Sequence, residues 1–83
     1  MKTTRYFEEQ VLRKRPYIAR AMCQAVIDAP MRRDIQEYGP VRYWGKAADA
    51  GDGKERILRA ITLDAGETVH NAFFDRNFRK DKP

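Results

Sequence analysis

The sequence predicts an α+β fold, with two N-terminal helices packed on one face of a three- to four-stranded antiparallel sheet. Three observations carry this. Apolar residues recur at helical spacing at Ile18, Met22, Ala25, Val26 and Ala29. Residues 41–74 divide into three strand-like runs separated by turn-forming segments. Helices first and strands after them, in 83 residues, make one helical layer against one sheet, with no room for a second domain. The domain is expected to span 1–83, with an ordered core at 5–78 and a basic tail at 79–83.

The elements follow in order. Thr3 or Thr4 caps a first helix, with Glu8 and Glu9 in the early turns, where the helix dipole favours acids. Arg13, Lys14 and Arg15 stand at its far end, and Pro16 stops it, because proline lacks an N–H and disfavours helical geometry in the preceding residue. The same proline opens a second helix, expected over Pro16–Ala29 with one apolar stripe. Pro30 ends it. Residues 31–38 alternate only weakly and are expected as a short polar edge strand, whose charges discourage aggregation.

Gly39-Pro40 turns the chain into a strand at 41–47. There Val41, Tyr43 and Gly45 point one way, and Arg42, Trp44 and Lys46 the other. A loop at 48–54 leads to Glu55–Leu63, apolar on both faces and therefore central. Asp64-Ala65-Gly66 makes a hairpin loop, with Gly66 able to take positive φ. Thr68–Phe74 pairs back, with Val69, Asn71 and Phe73 on one side and His70, Ala72 and Phe74 on the other.

Composition excludes several classes. Cys23 is the single cysteine, so no disulfide is expected; a lone thiol among Met22, Ala25 and Val26 reads as a core residue and suits the cytoplasm. One cysteine and one histidine make a zinc site unlikely, and no metal or other cofactor is expected. No stretch is apolar enough for a bilayer span or a signal peptide. Gly51-Asp52-Gly53-Lys54 lacks the spacing of a phosphate loop.

The net charge is +5 and is uneven. Residues 1–20 hold six Lys or Arg against two acids, residues 21–55 five against six, and residues 56–83 six against four. If the fold joins the ends, they form one basic patch that attracts phosphate backbones or an acidic protein. The same charges also read as an ordinary solubilising surface.

Four groups are candidates for chemistry. Arg59 lies mid-way along the central strand, where it either pairs with an acid such as Asp75 or emerges on an open face to meet phosphate. His70 is the natural acid or base, though a lone strand histidine also reads as structural. Arg42, Trp44 and Lys46 place an indole between two cations, a pattern that suits base stacking with phosphate contacts, a protein hot spot, or a core tryptophan. Finally, Arg76, Arg79 and Lys80 follow the aromatic pair Phe73-Phe74 and either clamp nucleic acid or fray.

The order of parts resembles a known group. A charged helix, RPYI at 15–18, DAP at 28–30, VRYWG at 41–45, ILRAITL at 57–63 and TVHNAFFDR at 68–76 look like the small bacterial domains related to BrnT-type toxins, distant members of the RelE/ParE-like superfamily. The resemblance covers roughly residues 5–79. It implies a compact αα-ββββ domain, a metal-independent ribonuclease and an antitoxin partner. Leu58-Arg59 matches a basic strand position of that group, and Asp75-Arg76 the charged end of its last strand. The chain departs from the group at Thr4-Arg5-Tyr6, where related domains often carry a histidine.

On this reading the 2′-hydroxyl of RNA attacks, His70 moves the proton, and Arg59 and Arg76 stabilise the phosphorane, with Arg42, Trp44, Lys46, Arg79 and Lys80 binding the strand. The alternative is a binding module without chemistry, docking nucleic acid or an acidic protein on the basic sheet face. The expected partners are therefore RNA, and an antitoxin or other acidic protein. A third reading is an accessory protein that works only as an oligomer.

Overall fold

The first element is a strand the sequence does not announce. In the computed structural model, which describes residues 1–35 and 39–78, β1 (Lys2–Thr3) runs parallel to the last strand, with Lys2 opposite Thr68 and Thr3 opposite Val69. Two polar residues carry no periodicity; backbone pairing alone defines them, extended by the Thr4 N–H donating to the Val69 carbonyl at 3.0 Å.

Thr4 then caps the first helical segment, its hydroxyl accepting the Phe7 N–H at 3.1 Å. That segment is short, and Phe7–Leu12 has π geometry. It buries Phe7 and Val11 completely. Arg15, Pro16, Tyr17 and Ile18 form a turn closed by the Ile18 N–H on the Arg15 carbonyl at 2.9 Å. Proline takes the second position of that turn, which its fixed φ suits. Pro16 therefore opens a turn rather than the second helix. Ile18 drops into the core, Ala19 stays extended (φ −115°, ψ 152°), and α1 begins only at Arg20 (Arg20–Asp28).

After α1 come β2 (Arg32–Ile35), β3 (Val41–Ala48), β4 (Glu55–Leu63), a 3-10 turn (Asp64–Gly66) and β5 (Thr68–Phe74). The sheet order is β1-β5-β4-β3-β2, with β1 parallel and the other pairs antiparallel. Among the described residues the architecture is thus α+β with a five-stranded mixed sheet, one short helical segment and one regular helix. This corrects the expected pair of N-terminal helices on a three- to four-stranded antiparallel sheet. β2 occupies the first half of the expected edge strand; Gln36, Glu37 and Tyr38 lie outside the described residues, as does the tail from Arg79.

One sheet face is covered. Val41, Tyr43 and Ala47 of β3, Leu58 and Ala60 of β4, and Val69 and Ala72 of β5 pack with Phe7, Val11, Ile18, Cys23 and Val26. Gly45 lets α1 approach: a Cβ there would meet Val26 Cγ2 at 3.1 Å. Thr62 is buried on the same face and donates its hydroxyl to the Val41 carbonyl at 3.1 Å.

A bulge breaks the expected alternation in β5. Thr62 pairs with Val69 and Ile61 with Asn71, so His70 is the extra residue. Val69 consequently joins Ala72 in the core cluster, rather than sharing a side with Asn71 and Phe73. No helix among the described residues is long and apolar enough to cross a membrane.

Candidate functional site

The face without helices carries a row of side chains that crosses four strands. Register places Arg32 opposite Trp44, Trp44 opposite Arg59, and Arg59 opposite Phe73. All four therefore project to one side. The Arg59 guanidinium lies between two rings, 5.3 Å from the Trp44 centroid and 5.3 Å from that of Phe73. Arg32 sits 5.4 Å over the same indole.

The turn after β5 folds onto this row. The Asp75 N–H extends the ladder to the Ile57 carbonyl at 2.9 Å, and the Trp44 Nε1–H donates to Asp75 Oδ2 at 3.0 Å. Phe78 packs on Trp44, ring centroids 5.9 Å apart. Arg32, Asp34, Arg42, Trp44, Arg59, Asp75, Asn77 and Phe78 line an open cavity of about 300 Å³.

Arg59 is both paired and incomplete. Its Nη1 stands 3.9 Å from Asp75 Oδ2, an ion pair longer than a hydrogen bond. Its Nε–H is buried and has no partner. A buried donor left unmade is costly.

Trp44 departs from the expected stacking platform. It projects to the predicted side but is only 7% exposed, being covered by Phe78 and by both guanidiniums. It packs against both arginines instead. Arg42 pairs with Asp34 at 3.5 Å and Lys46 with Glu55 at 3.8 Å, both at the surface. Four cations on this face thus stand against the carboxylates of Asp34, Glu55 and Asp75.

The three predicted catalytic residues do not share one site. Arg59 lines the cavity just described. His70 sits by β1, its Nδ1 3.0 Å from the Thr4 hydroxyl and its ring stacked on Tyr6 at 4.9 Å. Arg76 lies beyond Phe73 and is exposed. Arg79 and Lys80 fall outside the described residues.

Sequence reasoning missed a second cavity, of about 410 Å³, lined by Arg15, Tyr17, Asp49, Arg56, Phe73, Phe74 and Arg76. Arg15 Nη1 donates to the Ala72 carbonyl at 2.8 Å and to Asn71 Oδ1 at 3.2 Å. Arg56 is held by Asp49 at 3.3 Å and Asp52 at 2.7 Å. Tyr17 stacks on Phe74 at 5.8 Å. The available signal was the proline. The residue before it leaves helical geometry, which turns Arg15 off the helix and toward β5.

Among the described residues no group of three or more His, Cys, Asp or Glu side chains is placed to hold a metal. No family model matches the chain, and neither a curated protein nor a solved structure matches it.

Proposed function

We propose that this protein binds single-stranded RNA on the helix-free face of its sheet, around Arg59. The observation that carries the reading is the row Arg32, Trp44, Arg59 and Phe73, two guanidiniums interleaved with two rings, beside a 300 Å³ cavity. Phosphate oxygens meet the part-exposed side chains of Arg32 and Arg59. The reading is one of binding. Cleavage by the expected trio requires an imidazole beside Arg59, and the His70 ring is engaged by Thr4 and Tyr6.

Trp44 is the single tryptophan and forms a wall of the cavity, so its fluorescence reports occupancy. A short oligouridylate is expected to change Trp44 emission saturably. The affinity should fall as salt rises, by roughly 0.7 in the logarithmic slope per phosphate contacted. No change in emission at high oligonucleotide concentration rejects the reading. A flat salt response points instead to an apolar protein partner.

A further inference from the structure

On the helix-free face three of the four cations, Arg42, Lys46 and Arg59, are answered by acids. Around the second cavity the balance differs. Arg15 is held only by neutral oxygens, of Ala72 and Asn71, and Arg76 has no partner among the described residues. Arg56 is the third cation, and its charge is answered by Asp49 and Asp52. The one carboxylate in the lining, Asp49, is itself engaged by Arg56 Nε and by the Gly51 N–H at 2.7 Å.

Arg15 is also preorganised. Both of these bonds leave from Nη1, so the Nε–H and the two Nη2 hydrogens remain to donate. That free edge of the guanidinium is a fork matched to two oxygens of a phosphate. Anchoring to the backbone of β5 removes much of the entropy that an unrestrained arginine loses on binding. The remaining walls are aromatic. Phe74 is backed by Tyr17, which is itself 37% exposed. A volume of about 410 Å³ accommodates a ring as well as a phosphate.

We infer that this cavity binds a phosphomonoester carrying a planar ring, that is, a nucleoside monophosphate, either free or at the end of a strand. Arg15 and Arg76 take the phosphate, and Tyr17 and Phe74 take the ring. This site is separate from the Arg59 cavity, although the turn after β5 contributes to both and Phe73 also lies against Arg59.

Isothermal titration of the whole chain with adenosine 5′-monophosphate, adenosine and inorganic phosphate tests it. The monophosphate is expected to bind at least tenfold tighter than either fragment. Arg76→Gln, at an exposed residue, should weaken it about tenfold with an unchanged melting curve. Arg15→Lys keeps the charge and loses the fork, and should also weaken it. Adenosine binding as tightly as its monophosphate overturns the proposal, as does wild-type affinity in both variants.

Displacement by a 5′-phosphorylated oligonucleotide, but not by its 5′-hydroxyl form, supports a strand end as the source. Displacement by neither supports the free nucleotide. Arg59→Met should leave monophosphate binding intact. Failure here would therefore leave the Trp44 fluorescence response to oligouridylate standing, and the reverse also holds.

Discussion

Replacing Arg59 with methionine separates a binding role from a structural one. The Arg59 side chain is three-quarters buried, and its Nε–H is unmade. Removing it relieves a desolvation penalty of about 1–3 kcal/mol. Against that stand two cation–π contacts, at 5.3 Å each, worth about 0.5–2 kcal/mol apiece. A methionine sulfur between the same rings restores about 0.3–1.5 kcal/mol per contact. The ion pair to Asp75 is long, at 3.9 Å. Asp75 also keeps two other donors, the Trp44 indole at 3.0 Å and the Asn77 N–H at 3.0 Å.

The terms nearly cancel, and the expected change in stability is within about 1 kcal/mol, or about 4–8 °C in melting temperature for a domain of this size. Urea titration and thermal melts measure it. Binding of oligouridylate should fall about tenfold or more, because a charged contact to the ligand is gone. Destabilisation of about 3–5 kcal/mol is the signature of a broken buried ion pair. That result would show Arg59 and Asp75 to be one structural unit, and would refute the argument.

Other expectations follow from single contacts. Gly45→Ala places a methyl 3.1 Å from Val26 and should destabilise by about 1–3 kcal/mol; adding Val26→Ala should return part of the loss for that pair, read by a double-mutant cycle in urea. Gly66→Ala combines a φ of +100° with a Cβ 2.5 Å from the Tyr43 hydroxyl, and should destabilise by about 2 kcal/mol or more in the same assay.

Burial pushes the Cys23 thiol up to about 11 from an ordinary 9.0. The folded state therefore holds its proton more tightly, and stability present below pH 9 should decline by about 2 kcal/mol between pH 9 and 11. A smaller decline in Cys23→Ala, and slow reaction of the native thiol with a disulfide reagent, check this. Glu8 is held below the usual carboxylate range by its bonds from Arg20 and then from the Thr3 hydroxyl. Its contribution is complete above the ordinary glutamate range and is lost as pH falls through the lowered value. The protection of the Thr4 amide, whose N–H closes the β1 ladder, relative to its intrinsic exchange rate should then fall in acid.

Local pattern was enough for much of the scaffold. Alternation in β3 placed Val41, Tyr43 and Gly45 opposite Arg42, Trp44 and Lys46, and the two-sided apolar run put Glu55–Leu63 at the centre of the sheet. Those readings depend on side-chain period, which the chain carries residue by residue. What tertiary structure alone decided has no period. β1 exists because the backbone of Lys2–Thr3 finds β5 from 66 residues away. The bulge at His70 shifts Val69 into the core, since hydrogen-bond register and not sequence spacing selects the residue left over. Pro16 fits a helix start and a turn equally well, and the burial of Ile18 chose the turn. That choice sent Arg15 to β5 and built the second cavity, while Phe78 and two guanidiniums closed over Trp44. Each of these is a meeting of distant segments, whose free energy belongs to the pair and is written in neither segment alone.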